Sequence, residues 1–532
     1  MSFTSLGFVV FLAAILLIYY VIPKKTQWWL LLAASYIFYF LAGKWYLPFI
    51  VITTISSYFC AKTMARNAER ECAYIEENRE TLDKEARKSY KAREKKKRFH
   101  ILVSALVLNF GILAVLKYTG FAISNLNSLI GAFGGGKINV PRFILPLGIS
   151  FYTFQTMGYL IDVYRGKTQA EKNVFRLALF VSFFPQLVQG PISRHSDLAS
   201  QLYEPHRAEW DNIASGILRI CWGYFKKLVV ADTLMISIKE IVSDSQSFGG
   251  GYVLFLIIAY SVEIYADFTG GIDITIGIGE AMGIRMTENF NRPFASTSTK
   301  EYWNRWHITM GSWFTDYIFY PLSITKSMQK LSKWSRAHLG NAIGKRVPVY
   351  LATIITWFLT GLWHGASWNF IVWGLLNCAV ILVSQECQPL YNRFDKRFPR
   401  LANSNIRIVY LRAQTFMLMG TIRILDVYRD VPLTFKMLGT VFYDGAGWRS
   451  FFSGGVLDIG LDLKNYIVIA AGILVMFLVS EISARRDEPL RRIIVRKPLL
   501  AFACMSLLIF ATLIFGSYGI GFDASQFIYT QF

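Results

Sequence analysis

Charge is scarce in this 532-residue chain: 17% of its residues are Asp, Glu, Lys or Arg, where a soluble protein carries about 25%. Acidic residues are the scarcer sign, 35 against 56 Lys and Arg, which leaves a formal net charge of +21. Mean hydropathy is +0.37. No soluble-domain stretch separates the apolar runs, so dividing the length by ~150 residues per domain does not count domains here. Cysteine is sparse and scattered: Cys60, Cys72, Cys221, Cys378, Cys387 and Cys504 form no C-x-x-C pair and suggest neither a disulfide framework nor a zinc site. No metal is expected. The basic excess does not point to nucleic acid, because Lys and Arg fall in short segments between apolar runs rather than on a soluble base-reading fold.

What the chain has instead is apolar runs along most of its length. The first covers 6–22 and is followed by Lys24 and Lys25, which places that end in the cytoplasm. It lacks the basic leader and small-residue cleavage site of a signal peptide. Others follow near 28–43, 46–64, 100–118, 143–161, 176–193, 212–231, 251–268, 271–284, 313–325, 348–363, 367–384, 413–422, 465–482 and 499–516. Several fall short of the ~20 residues a full span needs, so some are expected to be re-entrant, tilted or shielded by other helices. The expected fold is all-α: a polytopic integral membrane protein of about 11 transmembrane helices plus re-entrant or short helices around a central funnel. The organisation expected is N-terminal transmembrane helices over 1–64, a basic cytoplasmic segment over 65–99, a core over 100–390 and a C-terminal transmembrane extension over 391–532. Segment 65–99 mixes Glu69, Glu71, Glu76, Glu77 and Glu80 with Arg66, Arg70 and Arg79 at helical spacing, then turns strongly basic from Arg87 to Arg98. Membrane lipid is the surrounding partner; basic clusters at 326–346, 393–412 and 485–497 read as cytoplasmic.

Three common motifs are tempting and fail. Gly131 to Lys137 matches a P-loop spacing, but Ile138 replaces the Ser or Thr that would hold Mg²⁺. Gly277, Gly279 and Gly283 have one residue too many for the dinucleotide fingerprint and fit small-residue helix packing better. His206 and Asp211 have the H-x-x-x-x-D spacing of glycerolipid acyltransferases, but they sit in a polar loop without that family's other blocks.

Two of the six histidines keep unusual company. His307 closes the run Tyr302-Trp-Asn-Arg305-Trp306-His307, and His364 sits in Gly361-Leu-Trp363-His364-Gly365-Ala366-Ser-Trp368 between two apolar runs whose outer flanks are basic. His364 is therefore expected at a hairpin turn or at a break deep in the membrane. A charged group at that depth costs roughly 2.5–3.5 kcal/mol, and histidine avoids the cost by staying neutral. A neutral imidazole accepts a proton from a hydroxyl, which a general base must do. The plainer reading of any such histidine is a satisfied packing residue. Trp363 and Trp368 are expected as pocket walls, with Gly365 and Ala366 leaving room for a substrate. Glu263, Asp267 and Asp273 lie in an apolar stretch, and Arg292 and Arg305 are their expected counter-charges; Asn291 and Gln155 are expected to line one cavity.

Read together, a series of blocks carries a resemblance. They are Pro146-Leu-Gly-Ile-Ser-Phe-Tyr-Thr-Phe-Gln155, Tyr159-Leu-Ile-Asp162, Phe183-Phe-Pro-Gln186-Leu-Val-Gln-Gly-Pro-Ile-Ser-Arg194, Tyr265-Ala-Asp267-Phe-Thr-Gly-Gly-Ile-Asp273, Asn291-Arg-Pro-Phe and the two Trp-His blocks. In this order they resemble the membrane-bound O-acyltransferase family from about residue 5 to 385. The resemblance is closest to its bacterial polysaccharide O-acetylation branch, which includes the alginate O-acetylation membrane protein, the peptidoglycan O-acetyltransferases and the D-alanyl transfer protein of teichoic acids. Two departures stand out: Asp316-Tyr-Ile-Phe-Tyr320-Pro321 replaces the alginate-type block after the first histidine, and the Phe-Phe-Arg-Ala expected late is not clear around 421–426.

The resemblance implies that His364 is catalytic and His307 is the second family histidine, with Trp363, Trp306, Arg305, Asn291, Asp267 and Gln155 as candidate substrate-binding residues. It implies an acyltransferase of the bacterial plasma membrane that moves an acetyl group to a cell-surface or secreted polysaccharide, directly or through an extracytoplasmic partner protein. The donor is a cytosolic thioester, acetyl-CoA or a carrier-bound one, used as substrate, with no bound cofactor. The rivals are D-alanyl transfer to teichoic acid and, from another class, a polysaccharide or lipid-linked sugar transporter. The transporter explains the spans and basic loops but not two Trp-His blocks.

Overall fold

A computed structural model describes residues 3–141 and 143–518. Among these all regular elements are helices, and pairing of strand type is limited to an isolated antiparallel bridge between Phe290 and Trp306. This follows from the composition: a lipid environment requires every backbone group to be satisfied internally, and a helix does so within one segment. Among the described residues eight helices are long and apolar enough to cross a membrane, and Leu6–Val21 and Val174–Gln189 are shorter apolar segments. That measure does not confirm the expected count of about 11 spans. Expected spans 251–268 and 271–284 are one 31-residue helix, Gly251–Ala281, while 212–231 and 313–325 are broken by π-helical turns at Phe225–Ala231 and Thr315–Phe319.

The chain divides into two compact units, residues 1–213 with 279–286, and 214–278 with 287–532. In the first, helices Leu47–Glu77 and Lys84–Ala132 run on past their apolar parts, so 65–99 is a helical hairpin and not an irregular loop. Asp83 starts the second of them by accepting from the Ala86 N–H at 2.6 Å. Arg98 pairs with Glu71 at 2.7 Å and Tyr74 stacks on Tyr90, which zips the hairpin. His206 is a structural residue here: its backbone N–H donates to Gln27 and its Nε2 lies 2.7 Å from the Gln201 carbonyl oxygen. Gln155 is buried and donates to the Phe180 carbonyl at 3.0 Å.

In the second unit, Val347–His364 and Trp368–Glu386 form a tight antiparallel hairpin. Glycines let the two backbones meet: a Cβ on Gly361 would run into the Phe370 carbonyl, and one on Gly374 into that of Trp357. Trp303 packs edge-on against both Trp357 and Trp373 and donates to Asn377, fastening the Thr299–Arg305 helix to this hairpin.

Candidate active site

The site grows from a short helix and a strained turn. Ser298 caps helix Thr299–Arg305 by accepting from the Glu301 N–H at 3.2 Å, and Glu301 reaches back to the Thr297 N–H at 2.8 Å, just before the cap. The helix stops at Trp306, which is extended and pairs with Phe290. His307 then takes the left-handed conformation, φ 48° and ψ 53°, and starts helix Ile308–Phe314. A non-glycine residue in that region stores about 1–3 kcal/mol of strain, which the surroundings must offset. They do so with the Ile308 N–H on the Asn289 carbonyl at 3.0 Å and the Gly311 N–H on that of His307 at 3.1 Å.

Asn289 fixes the imidazole. Its Oδ1 accepts from the Thr309 N–H at 3.0 Å and lies 3.2 Å from His307 Nδ1. A backbone N–H is a donor without ambiguity, so the atom facing it is the amide oxygen. His307 Nδ1 must then carry the proton, and Nε2 keeps the lone pair. The ring is fully buried, packs on Phe268, and is held neutral: burial, with the Arg423 guanidinium adding, pushes its pKa down to about 3.

His364 is the last residue of Val347–His364, at the hairpin turn, where the sequence places it. It is half-buried and meets Trp373 edge-on at 4.7 Å. Trp363, 4% exposed, lies between the two histidines, with ring centres 4.9 Å from His364 and 6.1 Å from His307. The room expected at Gly365 is not for a substrate: the Phe370 ring fills the place of its missing Cβ. Trp368 is 57% exposed rather than a pocket wall.

The counter-charges differ from those expected. Arg219 holds Asp273 at 2.7 Å and Glu288 at 2.6 Å, and Lys226 holds Asp273 at 2.6 Å. Lys227 pairs with Asp267 at 2.5 Å and Asp232 at 2.8 Å. The two lysines stand side by side in the π-helical turn, which presents both to the carboxylates of helix Gly251–Ala281. Arg305 pairs instead with Glu301, and Arg292 with Glu481. Glu263 is buried, and its Oε2 has no hydrogen-bond partner among the described residues.

A cavity of about 290 Å³ opens beside these pairs, lined by Arg219, Lys226, Asp273, Glu288, Asn291 and Arg292. Tyr265 and Phe290 also line it; Phe290 packs on Trp306, and Phe268 packs between Phe290 and His307. Asn291 lines this cavity, and Gln155 lies in the first unit. His364 does not line this cavity.

Two residues escaped the sequence reading. Asn289 stands two positions before the Asn-Arg-Pro-Phe block, in a run where Asn291 drew attention instead. Arg423 is buried, lies over the Trp306 ring at 4.0 Å and donates to the Tyr302 hydroxyl at 3.0 Å. It lies within 421–426, where Ile422 and Ile424 flank it in place of the Phe and Ala of the Phe-Phe-Arg-Ala block.

Residues 171–422 match the family model of the membrane-bound O-acyltransferases. The chain is 38% identical over 274 residues to the probable alginate O-acetylase AlgI of Azotobacter vinelandii, covering 51% of each chain. It is 31% identical over 326 residues to the peptidoglycan O-acetyltransferase of Helicobacter pylori, covering 56% of this chain and 58% of that one. With the teichoic acid D-alanyltransferase of Bacillus subtilis it shares 27% over 275 residues, 51% of this chain and 65% of that one. The chain thus spans about half the length of the alginate relative.

Proposed function

We propose that this polytopic membrane protein, which carries a membrane-bound O-acyltransferase domain over residues 171–422, is an O-acetyltransferase acting on a cell-surface or secreted polysaccharide. The observation that carries the reading is the placing of two histidines on either side of one buried tryptophan, Trp363. In the proposed reaction His364 takes the proton from an acceptor hydroxyl as its oxygen attacks the thioester carbonyl. The C–O bond forms, the C–S bond breaks, and the proton passes to the departing sulfur. His307, with Nε2 unprotonated, supports proton handling from the far side of Trp363. A thioester is already activated, so the protein's main work is to align two reactants and exclude water, which supplies several kcal/mol.

The donor is proposed to be acetyl-CoA or another cytosolic thioester. The cavity lined by Arg219, Lys226 and Arg292 is its proposed entry: it lies at the end of helix Leu463–Ala484 that leads into the basic segment 485–497, hence the cytoplasmic end. The acceptor polymer is proposed to lie outside the bacterial plasma membrane, reached directly or through an extracytoplasmic partner protein.

The test is transfer of labelled acetyl from acetyl-CoA by membranes containing the protein, together with mass spectrometry of surface polymers. His364→Ala is expected to leave protein level and polymer export intact and to remove the O-acetyl groups. Lost export with residual polymer still acetylated would favour a transporter instead. The similarity to a D-alanyltransferase supports one second reading, transfer from an aminoacyl carrier protein; membranes that take label from that carrier and none from acetyl-CoA would establish it.

A further inference from the structure

Beside the donor cavity lies a second, more apolar groove of about 200 Å³, which shares Tyr265, Arg292, Met476 and Ser480 with it. Its other walls include Val262, Phe294, Arg412, Ile473, Phe477 and Glu481. The groove is polar at one end and apolar at the other. Glu481 and Ser480 stand near the end of helix Leu463–Ala484 that meets the basic segment 485–497, and Arg412 stands near the start of helix Asn405–Tyr428, which follows the basic cluster 393–412. By the positive-inside rule both are at the cytoplasmic headgroup level. Ile473 lies eight residues before Glu481 on the same helix, about 12 Å further into the bilayer at 1.5 Å per residue.

The charges at the polar end do not cancel. Arg292 is taken by Glu481 and Ser480. Arg412 lines the groove, is exposed, and has no hydrogen bond or ion pair among the described residues. An arginine on a membrane-crossing helix calls for an anion, and basic pockets between helices on the cytoplasmic side take lipid headgroups. The net excess of one positive charge matches one negatively charged headgroup. The apolar wall above it matches a hydrocarbon chain and has nothing to offer a soluble phosphate.

We propose that this groove binds one anionic phospholipid of the cytoplasmic leaflet, its phosphate at Arg412 and Arg292 and an acyl chain along Ile473, Met476 and Phe477. The site is separate from the proposed chemistry, but it shares Tyr265 and Arg292 with the donor cavity, so its occupancy packs one wall of that cavity.

The experiment is native mass spectrometry of the full-length protein in a neutral detergent, titrated with phosphatidylglycerol or with phosphatidylcholine of the same chains. One phosphatidylglycerol is expected to be retained in preference to phosphatidylcholine. Arg412→Gln is expected to weaken that retention about fivefold, the worth of one arginine near a headgroup, and Arg412→Lys to keep most of it. Glu481→Gln releases Arg292 from its carboxylate and is expected to strengthen retention, a direction that simple damage to the fold would not produce. Equal retention of the two lipids, an Arg412→Gln protein that binds as the wild type does, or weakening by Glu481→Gln would each overturn the proposal. So would displacement of the bound lipid by soluble coenzyme A, which would assign the arginines to a donor phosphate. Failure of acetyl transfer with lipid retention intact would count against the enzymatic reading and leave this site standing.

Discussion

His307 Nδ1 lies 3.2 Å from Asn289 Oδ1, and the same oxygen accepts from the Thr309 N–H and hydroxyl at 3.0 and 2.9 Å. One buried amide therefore sets both the strained turn and the tautomer of the imidazole. Asn289→Leu removes the acceptor and leaves three buried donors, His307 Nδ1–H and the Thr309 N–H and hydroxyl, without it. We expect about 1–3 kcal/mol of lost stability from the orphaned groups. Acetyl transfer is expected to fall by roughly 10- to 100-fold through misplacement of the ring. Thermal unfolding and transfer assays on the same preparation check both; unchanged activity would remove Asn289 from any functional role.

Gly365 offers a test of how His364 is held. A Cβ there meets the Phe370 ring, so Gly365→Ala must displace either that ring or the turn. Overpacking of this kind costs about 1–3 kcal/mol. The double variant Gly365→Ala/Phe370→Ala opens the space again, and we expect it to recover part of the activity lost in Gly365→Ala. Additive losses in this double-mutant cycle would mean that the two residues are not coupled.

The helical character, the membrane setting and the hairpin turn at His364 were legible because each is a local property: apolar run length, flanking charge, and a polar block between two runs. What escaped depends on distance in the chain. Lys226 and Lys227 lie at the inner end of an apolar run and meet carboxylates forty and more positions later, so the nearer Arg292 and Arg305 looked like the partners. Arg423 lies more than a hundred positions after Tyr302 and Trp306, and a cation stacked on an indole leaves no periodic mark. The exact count of spans was not legible for a related reason: a composition window cannot tell one long helix from two, nor see a π-helical turn.

The pair of Lys227 with Asp267, both 1% exposed, calls for removal of one partner and then both. Lys227→Met leaves Asp267, and with it Asp232, buried without their cation, and breaking one side of a buried pair costs about 3–5 kcal/mol. Lys227→Met/Asp267→Asn removes one of the two orphaned carboxylates, leaving Asp232, and is expected to recover part of that loss in unfolding midpoint. The same comparison separates a structural from a functional Asp267. A stable double variant with normal acetyl transfer would make the carboxylate a structural residue, and a stable but inactive one would return it to the substrate-binding set.

Acid is expected to destabilise the protein through two histidines. Burial, with Arg423 adding, pushes His307 down to about 3, and burial pushes His195, packed between Tyr159 and Phe180, down to about 4. Unfolded, each titrates near 6.5, so between about pH 6.5 and pH 4 the unfolded chain binds protons that the folded one refuses. Stability contributed by keeping these rings neutral is complete above the unfolded value and is lost as the pH falls toward the folded ones. Each ring adds at most about 1.4 kcal/mol per pH unit to that slope. The measurement is the unfolding midpoint in detergent as a function of pH, for the wild type and for His195→Gln and His307→Gln. Each substitution is expected to make the acid limb shallower by about one proton. A limb unchanged by His307→Gln would mean that the ring is already protonated in the folded protein. Its Nε2 would then hold no lone pair, and its proposed part in proton handling would fall with it.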